Sequence, residues 1–143
     1  MPGATLGPMY TVQRHVGRLV ESVMQSRATR EDIDAADAAI AEIVRSLQGK
    51  CVVIADYRAT RFLLEEDAAY FTQMLRSYNE FIERSAIVVS ATSAVGVLQM
   101  ERMTRATQHP ARRAFRDPHE AAAWLDEVLT PAERARLRVA LGI

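Results

Sequence analysis

The side chains able to do chemistry are few and dispersed. Asp56 closes the apolar run Cys51-Val-Val-Ile-Ala55, and a carboxylate at the end of a buried strand is the first suspect for acid–base work in an α/β domain. Its blander role is to accept the backbone N–H groups of a polar loop over residues 57–60. Cys51 heads the same run, where a thiol is buried and inert. Ser90 is followed by Ala91-Thr-Ser93 and lacks the glycine flanks of a nucleophile elbow. His15, His109 and His119 show no metal-ligand spacing, and His15 reads as a solvated histidine near a strand turn. Arg112, Arg113 and Arg116, with Arg102 and Arg105 nearby, either form an anion site or blunt the edge of a sheet. No glycine-rich phosphate loop and no interleaved aromatics accompany them. The residues therefore predict no catalysis, no metal, no cofactor and no nucleic acid.

Composition narrows the classes further. Acidic and basic residues number 18 each among 143, so no net field draws the chain to nucleic acid or anionic lipid. One cysteine excludes an internal disulfide and a cysteine-based zinc cluster. Residues 1–8 carry two Gly and two Pro and read as a disordered leader without the basic and apolar regions of a signal peptide. No apolar run is long enough to span a membrane. The expectation is a cytoplasmic, bacterial-type protein with one α/β domain over residues 9–143.

Patterning supplies the elements that would position these residues. Tyr10, Val12 and Val16 alternate with polar residues, Gly17 interrupts, and residues 19–24 alternate again, which predicts a β-hairpin. Thr29-Arg-Glu-Asp32 has the form of a capping box ahead of Ile33, Ala36, Ile40, Ile43, Val44 and Leu47 at helical spacing. Gly49 sits where a left-handed helix cap belongs. The unbroken apolar runs at 51–55 and 86–89 predict strands covered on both faces. Between them, Leu64, Ala68, Phe71, Leu75, Tyr78 and Ile82 form a helical seam, with Leu63, Tyr70, Met74 and Phe81 as a second stripe. A helix over residues 94–107 is apolar nearly all round. Residues 111–117 predict a short strand that turns Arg113 and Phe115 to one face and Arg112 and Arg116 to the other. Asp117-Pro-His-Glu120 and Thr130-Pro-Ala-Glu133 open two capped helices, the last spanning 130–141, and Trp124 is expected to plug the core. Alternation of this kind gives an α/β fold with a mixed, mostly parallel sheet of about five strands.

The hairpin, Val52-Val-Ile-Ala-Asp56, Ile87-Val-Val-Ser90 and Phe115-Arg-Asp-Pro-His-Glu-Ala-Ala-Ala-Trp-Leu125 together resemble the STAS superfamily, over roughly residues 9–129. Within it the chain is most similar to small stand-alone bacterial proteins akin to anti-sigma-factor antagonists. The resemblance implies a non-enzymatic regulatory module that works by protein contact, in some branches with a small or lipid-like molecule bound. In the antagonists a serine in an Asp-Ser-Ser-Gly-like segment is phosphorylated. The matching segment here is Phe62-Leu-Leu-Glu-Glu66, where the nearest hydroxyl is Thr60. The expected partner surface, for a homodimer or another protein, comprises Tyr57, Arg58, Thr60, Arg61, Leu63, Tyr70, Met74, Phe81, Val97 and Met100. The alternative is a carrier with an apolar pocket for a small or lipid-like ligand beneath the helix at 94–107.

Overall fold

Alternation along two central strands decides how the helices pack. The computed structural model describes residues 10–143; the expected leader, residues 1–8, lies outside them. Strands β1 (Tyr10–Arg14), β2 (Leu19–Ser26), β3 (Cys51–Thr60), β4 (Ile82–Val89) and β5 (Arg112–Phe115) form one sheet in the order β1-β2-β3-β4-β5. Among the described residues only the β1–β2 pair is antiparallel. Helices α1 (Arg30–Ser46), α2 (Glu65–Ser77) and α3 (Ala94–Ala106) are the crossovers between the parallel strands. Because the strand order advances in one direction, right-handed crossovers place all three on one face. There Ala55, Tyr57, Ile87 and Val89 meet Ile33, Phe71, Met74, Val97 and Met100. The alternate residues Val52, Ile54, Ala86 and Val88 face α4 (Pro118–Asp126) and α5 (Pro131–Leu141). Both apolar runs are thus covered on two sides.

Several local expectations are corrected. Residues 57–60 are strand, not loop, because β3 keeps pairing with β2 as far as Ser26 opposite Thr60. Helix α2 stops at Ser77, a 3-10 turn follows over Asn79–Phe81, and Ile82 opens β4, so the helical seam does not run through to residue 82. Helix α1 ends on an extended Leu47, and Gly49 takes its positive φ of 101° in the turn beyond. Trp124 does not plug the core. It is half-buried against Phe115 and lies between the guanidinium groups of Arg84 and Arg113, each 4.9 Å from its ring. The capping boxes at Thr29–Asp32 and Thr130–Glu133 form, whereas Asp117 caps α4 through the His119 N–H alone.

The last box also joins the hairpin to the far end of the chain. Glu133 accepts from the backbone N–H groups of Thr130 and of Arg18. The Arg18 side chain pairs with Glu83 and donates to the Val128 carbonyl. Burial alone would raise the Glu133 pKa, but these donors hold it below the ordinary carboxylate value.

Candidate functional site

Strand β5 is a sheet edge, yet it carries a buried cation. Its pairing sets Arg112 opposite Ser85, and the period-2 alternation turns Arg112 toward α1 and α2 while Arg113 goes to the α4 face. Arg112 is only 4% exposed. This overturns the solvated-edge expectation for that residue, because the strand is covered by helix on that side. Nη1 donates to Asn79 Oδ1 at 2.7 Å and Nη2 to the Leu75 carbonyl at 3.3 Å. Among the described residues Nε has no hydrogen-bond partner and no carboxylate pairs with the group. An uncompensated buried ion costs several kcal/mol. Burial pulls the Arg112 pKa down to about 10, which still leaves it charged at neutral pH.

Arg112 lines a cavity of about 40 Å³ between the sheet and the inner faces of α1 and α2. Its walls are otherwise apolar apart from Ser22, Ser85, Cys51 and three tyrosines, Tyr10, Tyr57 and Tyr78. The Tyr10 and Tyr57 hydroxyls share a hydrogen bond of 2.7 Å, and Ser22 Oγ lies 3.1 Å from the Tyr57 hydroxyl. Burial raises the pKa of Tyr10, of Tyr57 and of the Cys51 thiol, so all three are neutral near pH 7. The cavity therefore holds one positive charge and no negative one.

The residues expected to form a partner surface fall elsewhere. Tyr57, Thr60, Leu63, Met74, Val97 and Met100 are buried and present no surface in this fold. The reason is lateral crowding: α2 and α3 pack on the sheet and on each other, so a second apolar stripe is consumed by the neighbouring helix. Thr60 donates its hydroxyl to the Met24 carbonyl. Arg58 forms a two-pronged ion pair with Asp56, both contacts at 2.9 Å, and reaches the Leu141 carbonyl. Asp56 also accepts the Arg58 backbone N–H. Tyr70 is half-buried, hydrogen-bonded to Asp34 and covered by Arg30. Arg61 and Phe81 are exposed. Among the described residues, no three of His, Cys, Asp and Glu converge on a metal position. The enclosed hollow beneath the start of α3, between Tyr57, Gln99 and Met100, measures about 10 Å³, room for about one water, too small for the lipid-like ligand expected there.

Exposed apolar surface concentrates instead where β3 passes into α2 and where α3 begins. Phe62 and Leu64 are 53% and 49% exposed, and Val95 and Leu98 are 61% and 65% exposed. Gln99 fixes the two segments together: Oε1 accepts the Leu63 N–H at 2.7 Å and Nε2 donates to the Leu63 carbonyl at 2.8 Å. Leu63 is thereby drawn inward, while its neighbours Phe62 and Leu64 stay exposed. An ion pair between Glu65 and Arg102 closes one side. Nothing in the periodicity announced this face, because one buried glutamine holds Leu63 inward.

The site geometry sits on a known scaffold. The chain superposes with a TM-score of 0.59 on an uncharacterized protein of the DUF3478 family with a SpoIIAA-like fold from Shewanella loihica PV-4. The match covers 81% of this chain and 91% of that one at 16% identity. The fold is SpoIIAA-like. This is the STAS, anti-sigma-antagonist architecture that the strand and helix segments resemble. No protein-family model matches the chain, and no curated protein does. Among the described residues no helix is long and apolar enough to cross a membrane. The α2 N-terminus, where the antagonists carry their phosphorylated serine, is capped here by Leu64 with no side-chain hydrogen bond.

Proposed function

We propose that this chain is a non-enzymatic, cytoplasmic, STAS-like interaction module that works through the face formed by Phe62, Leu64, Val95 and Leu98. The observation that carries this reading is the exposure of four large apolar side chains on two segments that the Leu63–Gln99 hydrogen bonds tie together. Monomers seldom leave contiguous apolar patches larger than a few hundred Å² in water. At about 25 cal/mol per Å², covering such a patch contributes several kcal/mol, comparable to the cost of association. The partner we assign is a second copy of the chain, because one self-complementary patch suffices for a two-fold contact. The module runs without a phosphorylation switch. Thr60, the nearest hydroxyl, is buried and spent on Met24, and Glu65, Glu66 and Asp67 already fill the first turn of α2 with negative charge. The test is a dilution series by amide NMR from about 1 mM to 10 µM, spanning the range where contacts of this size dissociate. Shifts confined to residues 62–65 and 95–102 support the assignment. Unchanged spectra, or shifts on the α4–α5 face, refute it.

A further inference from the structure

We propose that the cavity beneath α1 and α2 is a binding site for a small organic monoanion, a short carboxylate of acetate or propionate size. Arg112 would hold its charge, and Val12, Ile40 and Val53 would enclose its apolar end. The argument is one of complementarity. Arg112 is buried, lines the cavity and keeps its Nε–H without an acceptor. The hydroxyls of Tyr10, Tyr57 and Ser22 line the same cavity as a hydrogen-bonded cluster. The walls thus offer one spare donor and one positive charge, and the missing complement is an acceptor bearing one negative charge. A carboxylate supplies two acceptor oxygens and that charge.

Size and wall chemistry narrow the class. A cavity of about 40 Å³ has room for roughly three to four water-sized groups, the scale of acetate or propionate, whose four and five heavy atoms are bonded and so need less space than as many waters. A phosphate ester or a dicarboxylate would bring a second negative charge that no further cation faces, since Arg112 is the one charged group lining this cavity. A fatty acid is too long. The lining beyond the polar cluster is aliphatic, which suits a methyl or ethyl group and disfavours inorganic anions that need donors on every side.

The test is thermal unfolding of the full chain at neutral pH in sodium propionate, against sodium chloride and sodium octanoate at matched ionic strength. Propionate should raise the Tm steadily with the logarithm of its concentration, whereas chloride and octanoate should not. Arg112→Met, which fills the site without a charge, should weaken the propionate response roughly tenfold or more, the scale of a lost hydrogen bond to an ion. Tyr57→Phe should weaken it less. Equal responses to propionate and chloride, a response to octanoate as large as that to propionate, or a full response in Arg112→Met would each overturn the proposal. Should Arg112→Met not fold, the wild-type protein decides. Nuclear Overhauser contacts from the propionate methyl to Ile40 and Val53 support the site, and their absence at saturating propionate refutes it.

Discussion

Gly17 shows how much a single residue carries here. It holds φ at +58°, and a Cβ at this position would stand 2.2 Å from the Glu133 carboxylate. Left-handed backbone costs a residue with a side chain about 1–2 kcal/mol, and the collision would also push Glu133 off the Arg18 N–H. Gly17→Ala should therefore lower the unfolding free energy by at least about 1–2 kcal/mol in urea titrations. Glu133 itself should leave a pH signature. Its folded pKa lies below its ordinary value of 4.5, so its contribution is complete above that value and is lost as pH falls through the folded pKa. The stability difference between wild type and Glu133→Gln should shrink between about pH 5 and pH 3. Asp126 is held low by its hydrogen bonds from Arg138, in the same sense, so the variant keeps part of the acid sensitivity. The capping-box motif made the Thr130–Glu133 pair legible in the sequence. The second use of that carboxylate, across 115 residues to Arg18, had no local signal.

At the scale of elements, apolar runs and caps located every strand and helix, while the faces of α2 and α3 were misread. Residues 51–55 and 86–89 declared strands covered on both sides, and the α4–α5 layer supplies the second cover. A helix wedged between a sheet and its neighbours buries more than one stripe, and hydropathy does not say which stripe stays outside. The structure answers for α3: Val97 and Met100 are buried, Val95 and Leu98 exposed. Met100→Ala should accordingly cost about 2–5 kcal/mol and Leu98→Ser no more than about 0.5 kcal/mol, both read from chemical denaturation under conditions where the chain is monomeric. A reversed order would mean that α3 packs through its other face. Arg112 was hidden for a related reason. Alternation fixed its face correctly, but an arginine among arginines on an edge strand reads as solvated until α3 is placed over the strand and α2 beside the guanidinium.

For the whole molecule, the architecture is a SpoIIAA-like sheet with three crossover helices on one face and two closing helices on the other. The proposed interaction face lies on exposed residues of the β3–α2 junction and α3, outside both cores, so its side chains can change without loss of fold. That separation makes the central claim directly testable by sedimentation equilibrium from about 10 µM to 1 mM, run on the wild-type chain and on Phe62→Glu and Leu98→Glu. The proposed self-association predicts a wild-type mass that rises with concentration from 15.9 kDa toward twice that value, and a single-chain mass throughout in either variant while circular dichroism is unchanged. A wild-type chain that stays at the single-chain mass, or a dimer indifferent to both substitutions, would contradict it.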